Sequence, residues 1–335
     1  RKMKVIDMHC DTILALLEQE ENGHSINYLE NDLSINLNAL KKGNVFVQNF
    51  ALFTDLKKRA IPEEETMKLY DLYCRMLEEH SDLIAPVLTY GDIAKNEREG
   101  KISALLTLEE GDVVFSSLAM LRNYYRMGVR MIALTWNYPN RIGSPNLSAY
   151  EYKDSKIPDP LQRVDTKHGL SEFGIDYLRE MEKLGIIVDV SHLSDAGFWD
   201  VVKYASRPFV ASHSNARKIC GVARNLSDEM ILALHEKGGV MGLNFCGDFL
   251  SEDRTNTSRI EDMIQHIDHI KKIAGIDVIG IGSDFDGINS QLEIADASQF
   301  DLLANALLEH GYSQEEVEKI FYKNVLRVYS QVLPE

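Results

Sequence analysis

Residues 171–192 read SEFGIDYLREMEKLGIIVDVSH, and this stretch holds one full unit of the pattern that sets the fold. Ser171 before Glu172 is a helix start, because a serine oxygen there accepts an orphan backbone N–H of the first turn. A helical pattern fills 172–184, and Gly185 then supplies the left-handed residue that closes a helix before the next strand. The run 186–191 is apolar without in/out alternation, as a strand covered on both faces should be, and His192 follows it.

Seven further runs of this kind stand at 5–9, 45–52, 102–108, 129–135, 209–212, 240–245 and 278–283. Helical patterns occupy 63–79, 118–127, 195–204, 228–237, 260–273 and 315–330, with starts at Ser227 ahead of Met230 and a capping box at Ser313 and Glu316. Gly128, Gly238 and Gly275 repeat the role of Gly185. Alternating β and α elements imply a parallel sheet with crossover helices, and eight such units predict an α/β fold, a (β/α)8 TIM barrel. With no repeat, low-complexity tract or linker, the expectation is one domain over 1–335 with an insertion at about 137–168, rich in Asn, Pro, Asp and Tyr. On such a barrel that insertion falls on the active face, so it is expected to form a lid or a dimer contact.

The 335 residues carry 36 Lys+Arg against 52 Asp+Glu, a net charge of −16, and no basic cluster. That balance repels phosphate backbones and argues against nucleic acid or an anionic membrane as partner. No run approaches the length of a membrane span, and no apolar leader is legible, so the expected location is the cytoplasm. Cys10, Cys74, Cys220 and Cys246 stand far apart and read as free thiols.

TIM barrels carry their chemistry at the C-terminal ends of the strands. At or just beyond the ends of the apolar runs stand His9 and Asp11, Glu109, Trp136, His192, His213, Asn244 and Asp284. In extended chain His9 and Asp11 share a face, which makes a two-ligand clamp for a cation such as Zn2+. Alone, such a pair is as readily a hydrogen-bonded strand end. Two successive strands ending in Ser-His, at His192 and His213, place imidazoles close enough to share a metal. Glu109 adds a carboxylate able to bridge two ions. Asp284 is placed to move a proton, whereas Asp286 before Gly287 reads as a turn or cap residue.

These motifs, in order, resemble the membrane (renal-type) dipeptidase family, the M19 zinc dipeptidases of the amidohydrolase superfamily. The resemblance runs from Asp7-Met8-His9-Cys10-Asp11 through Ser212-His213-Ser214-Asn215-Ala216-Arg217 and Arg224-Asn225-Leu226-Ser227-Asp228 to Gly282-Ser283-Asp284-Phe285-Asp286-Gly287. It implies a barrel with two zinc ions per subunit, one on His9 and Asp11, the other on His192 and His213, with Glu109 bridging. It implies that Asp284 is the acid/base, that Arg224 binds the free carboxylate of the substrate, and that the enzyme is a homodimer of the bacterial cytoplasmic kind. Two positions depart from the renal pattern. Leu134-Thr135-Trp136-Asn137 has Trp136 where renal members have His, and Asn244-Phe245-Cys246 has Cys where they have Tyr. Trp136 and Asn244 are therefore the expected places where substrate contacts differ.

The expected reaction is hydrolysis of dipeptides, L-Xaa-L-Xaa and also L-Xaa-D-Xaa, by a hydroxide shared between the metals, with Asp284 passing its proton to the leaving nitrogen. Two alternatives stay open from the residues: another binuclear amide hydrolase acting on N-acyl amino acids or cyclic amides, and a non-catalytic metal-binding barrel. His266 and His269, at helical spacing in a polar segment, read as a solvated helix face.

Overall fold

The computed structural model describes residues 2–146 and 160–335. All eight expected runs contain a strand: β1 (Val5–Asp7), β2 (Val45–Phe53), β3 (Ile102–Glu109), β4 (Val129–Ala133), β5 (Ile187–Asp189), β6 (Val210–Ala211), β7 (Val240–Leu243) and β8 (Ile279–Ile281). Each pairs in parallel with its neighbours in chain order, and the ring closes where Asp7 of β1 registers with Ile281 of β8. The fold is a (β/α)8 barrel. Six of the eight strands are shorter than their apolar runs, so most of the polar residues that follow lie in the loops at the barrel mouth, and among the expected site residues only Glu109 is itself a strand residue.

Among the described residues three further strands occur: Thr257–Ser258 and Gln291–Leu292 pair with each other apart from the barrel, and Ile84–Pro86 pairs with Ile102–Ala104 at the start of β3, on the flank that β4 occupies from Leu106 onward. The three residues of Ile84–Pro86 end in proline, which leaves no apolar run to read. Helices at Thr12–Glu21, Leu37–Lys42, Tyr90–Arg98 and Phe300–Glu309 also add to those expected from the sequence.

The core has two layers. Inside, Ile6, Met8, Val47, Leu105, Met131, Ile187, Val210 and Val240 pack together with Val325, Val328 and Tyr329 of the last helix. Outside, a larger cluster fills the space between strands and helices, from Ile13 and Leu69 through Leu121, Leu178, Phe198, Ile231 and Ile267 to Leu303 and Phe321. The run expected as one helix over 315–330 is two α-segments, Gln314–Glu318 and Asn324–Val332, joined through a π-helical turn at Lys319–Lys323. Helix ends follow their chemistry: Ser171 and Ser227 accept the backbone N–H groups of Gly174 and Met230, and the Ser313–Glu316 capping box is complete. Gly185 takes φ +88° as it turns the chain from helix into β5.

Residues 147–159 of the insertion lie outside the described residues, and with them the centre of the expected lid. Its described flanks cross the barrel mouth: Asn146 donates to Asp195 and to the Ala223 carbonyl, and the N–H of Ala223 donates to the Leu161 carbonyl.

Candidate metal centre

Five side chains expected to hold metal converge above the barrel. The Nε2 of His9 lies 3.1 Å from Oε2 of Glu109 and 3.2 Å from Oδ2 of Asp11. The same Glu109 oxygen lies 3.4 Å from Nε2 of His192 and 3.2 Å from Nε2 of His213. The rings of His9 and His213 stack with centroids 3.8 Å apart. Asp284 stands at the edge, its Oδ1 3.6 Å from Nε2 of His9. The elements explain the convergence. Successive parallel strands deliver their loops to one rim, and left-handed backbone at His192 (φ +72°) and Asp284 (φ +61°) turns each side chain inward.

This donor set fits a cation. Ligand atoms held about 2.0–2.1 Å from a tetrahedral zinc ion stand about 3.3 Å from one another, the spacing found here. Glu109 Oε2 and Asp11 Oδ1 are buried and form no hydrogen bond among the described residues, an arrangement that costs free energy unless a charge faces them. Mixed imidazole and carboxylate ligands suit Zn2+ and similar borderline ions. Three overlapping triads lie within metal-sharing reach: His9, Asp11 and Glu109; Glu109, His192 and His213; and His9, His213 and Asp284.

Burial alone would raise the Glu109 carboxyl, but the charge of His9 and the close approach of the three imidazoles hold it well below the usual range. Burial pushes His192 down to about 4 and His213 well below its ordinary value, so both offer the neutral lone pair a cation takes. Burial has the opposite effect on Asp284 and pushes its carboxyl well above the usual range. It thus suits a group that must hold a proton and release it.

The remaining expected residues separate. Arg224 is buried beside the centre, donating to Oγ of Ser214 (3.1 Å) and to the His213 carbonyl (3.0 Å), while its Nε has no partner among the described residues. It lines a small cavity with Asn137, His192 and Ser214. Trp136 packs on Phe53, with centroids 4.6 Å apart, and on Tyr138, and its ring centroid is 6.4 Å from that of His192. Asn244, expected as a substrate contact, is fully buried and fully engaged: Nδ2 donates to Asp284 and to the His213 carbonyl, and Oδ1 accepts from the Cys246 N–H. Both amide N–H groups are spent and the side chain is wholly buried, so it holds Asp284 rather than facing the cavity.

His266 is not on a solvated face. It is wholly buried, its Nδ1 accepting the Ala216 N–H and its Nε2 donating to the Leu250 carbonyl. Asp286 ties loops together, accepting from Thr12 and from the N–H groups of Ser34 and Ile35. Two further residues shape the centre. Asn137 Oδ1 lies 2.9 Å from Nδ1 of His192, and Glu110 anchors the mouth by accepting from Asn140 and from the Trp136 N–H. The Asn-Tyr-Pro-Asn context of Asn137 carries only a turn signal, so its role depends on the folded geometry.

A (β/α)8 barrel whose strand ends assemble buried imidazoles around a shared carboxylate is the framework of a metal-dependent hydrolase. The chain belongs to peptidase family M19, the membrane dipeptidase family, whose profile matches residues 1–333. It is similar to an uncharacterized dipeptidase of Schizosaccharomyces pombe, 32% identical over 345 residues that span 98% of this chain and 80% of the relative. Among solved structures it is similar to dipeptidase AC, an M19 metallopeptidase, at 26% identity and a TM-score of 0.90 over the whole of both chains. It is also similar to a metallopeptidase from Rhodobacter sphaeroides bound to a phosphinate mimic of the dipeptide L-Ala-D-Ala, at 25% identity and a TM-score of 0.89, covering 99% of this chain and all of the other.

Proposed function

We propose that this chain hydrolyses the peptide bond of free dipeptides at a centre of two zinc ions, one held by His9 and Asp11 and the other by His192 and His213, with Glu109 reaching both. The observation that carries this reading is the single buried oxygen of Glu109 with three imidazole Nε2 atoms within 3.4 Å of it. When bound, such ions polarise a carbonyl and activate water near neutral pH. Asp284 takes the proton of the attacking water and returns it to the departing nitrogen, and Asn244 keeps its carboxyl at the required angle.

The buried guanidinium of Arg224 supports recognition of the substrate's free carboxylate. Its Nε is an unmet donor in a cavity that also reaches His192, so a carboxylate there sets the adjacent peptide bond beside the centre. A longer peptide has no carboxylate at that distance. The L-Ala-D-Ala mimic held by the Rhodobacter relative supports tolerance of L,D- as well as L,L-dipeptides. Phe53, Trp136 and Tyr138 form an aromatic wall at the same mouth, and Trp136 is read as a substrate contact.

The same reading takes 1–335 as one domain, with the 137–168 insertion shaping the pocket, and the enzyme as a homodimer of the cytoplasm. Among the described residues no helix is long and apolar enough to cross a membrane.

The test strips the protein of metal, reloads it with zinc, and follows a pool of L,L- and L,D-dipeptides, tripeptides and N-acyl amino acids by mass spectrometry. Loss of dipeptides alone, only after reloading, is the expected result. Loss of N-acyl amino acids instead would overturn the substrate class and leave the metal centre standing.

A further inference from the structure

The two nitrogens of His213 have different duties. Nε2 faces Glu109 and His192, each at 3.2 Å, while Nδ1 lies 2.7 Å from Oγ of Ser212. The Ser212 hydroxyl has one proton, and it is donated to Oδ2 of Asp189 across 2.5 Å. A carboxylate can only accept, so Ser212 meets His213 with a lone pair and the proton between them sits on Nδ1. Nε2 is then left with its lone pair toward the centre. Asp189 is fixed from its other side, where Oδ1 accepts the backbone N–H groups of Ser191 (3.0 Å) and Ser212 (2.9 Å). Asp189, Ser212 and His213 are 3%, 0% and 1% exposed, so water does not compete for these bonds. The Ser191 hydroxyl, 3.5 Å from that of Ser212, is too far to redirect the relay.

We propose that Asp189, acting through Ser212, is a positioning residue that sets the tautomer of His213 and thereby makes its Nε2 a zinc ligand. The proposal rests on the metal centre described above. A matching pair elsewhere on the ring supplies the comparison. Asp7 accepts the N–H (2.8 Å) and the hydroxyl (2.7 Å) of Ser283 across β1 and β8, in the same two-point geometry. The residue after Ser283 is Asp284, which has no tautomer to set.

The decisive variant is Asp189→Asn, which preserves size. The two backbone N–H groups keep the amide oxygen on their side, so the amide N–H2 faces Ser212 and donates to it. The Ser212 hydroxyl then turns and donates to Nδ1, which moves the ring proton to Nε2. In 15N-histidine NMR spectra of the metal-free full chain, His213 should change from the Nδ1–H to the Nε2–H form. In chelator competition on the zinc-loaded enzyme, one of the two ions should bind about 10–100-fold more weakly, the range for losing an outer partner of a metal-bound histidine. The other ion should bind as before.

Ser212→Ala removes the relay without imposing the wrong tautomer, so it should give mixed His213 signals, whereas Asp7→Asn should leave those signals unmoved. A general loss of packing would move the Asp7 and Asp189 variants alike. Retention of the Nδ1–H form together with wild-type zinc binding, in folded Asp189→Asn or, should that fail to fold, in Ser212→Ala, would overturn the relay. Wild-type protein that binds no zinc would overturn the metal centre, and the nitrogen spectra would still decide the relay on their own.

Discussion

The side-chain amide of Asn244 donates to Oδ2 of Asp284 across 3.1 Å, tying the loop after β7 to the loop after β8 at the edge of the candidate centre. Asn244→Ala should free the carboxyl to rotate while leaving the metal ligands in place. The expected result is a fall in kcat of about tenfold or more with KM little changed, the mark of an interaction that acts in the transition state. Asn244→Asp should be worse, since it sets a second carboxylate against Asp284. Steady-state kinetics on one dipeptide separates these outcomes.

Asp284→Asn keeps the volume and the hydrogen bond to the chain but cannot accept a proton. Turnover should fall about 10²–10⁴-fold, the usual worth of general acid–base catalysis, with zinc content near that of wild type. Near-normal rates would remove Asp284 from the proton path.

A methyl group at Gly287 would have no room. Its Cβ would lie 2.0 Å from Oδ2 of Asp11 and 2.7 Å from Oδ1 of Asp284. Gly287→Ala must therefore displace the carboxylates of Asp11 and Asp284 together. The expected loss is about 10² in kcat, as for a misplacement of about 1 Å at a reacting group, along with reduced zinc content. Metal analysis and kinetics on the same preparation check both.

Zinc should also stabilise the fold. An ion that binds only the folded chain adds about 2.7 kcal/mol at a hundred times its Kd, so chelation should lower Tm measurably. Glu109→Gln removes the anionic oxygen shared by three imidazoles, and its Tm should respond far less to added zinc. An equal response in both proteins would count against bridging by Glu109.

His266 gives the stability a defined acid limit. Burial pushes its imidazole down to about 4, while the unfolded chain protonates near the ordinary value of 6.5. Between those pH values the unfolded state binds the extra proton, so the contribution of His266 is complete above about 6.5 and is lost as pH falls toward 4. It amounts to about 3 kcal/mol. Urea midpoints measured across that window should fall less steeply with acidification in His266→Gln than in wild type.

The eight strands could be read from the chain because buried parallel strands are apolar on both faces, and the residues that meet at the barrel mouth because each ends or follows such a run. What could not be read was direction. Asn244 follows a strand like the others, yet its amide turns to Asp284 rather than to the cavity. His266 has a helical neighbour pattern that suggests water, but its two partners, Ala216 and Leu250, come from a loop and a short helix outside its own helix. The helix Thr12–Glu21 carries no side-chain cap at its start, because Asp11 in the capping position faces His9 instead.

The ring has a consequence for the order of events in the cell. The Ser283 hydroxyl lies 3.3 Å from the His9 carbonyl, a contact between residues 274 apart in sequence, and β1 meets β8 through a single registered pair, Asp7 with Ile281. A ribosome-bound chain that has already released His9 and Asp11 still lacks Asp284 until β8 has emerged. If the proposed site is right, peptide cleavage has to wait until the first and last strands have met.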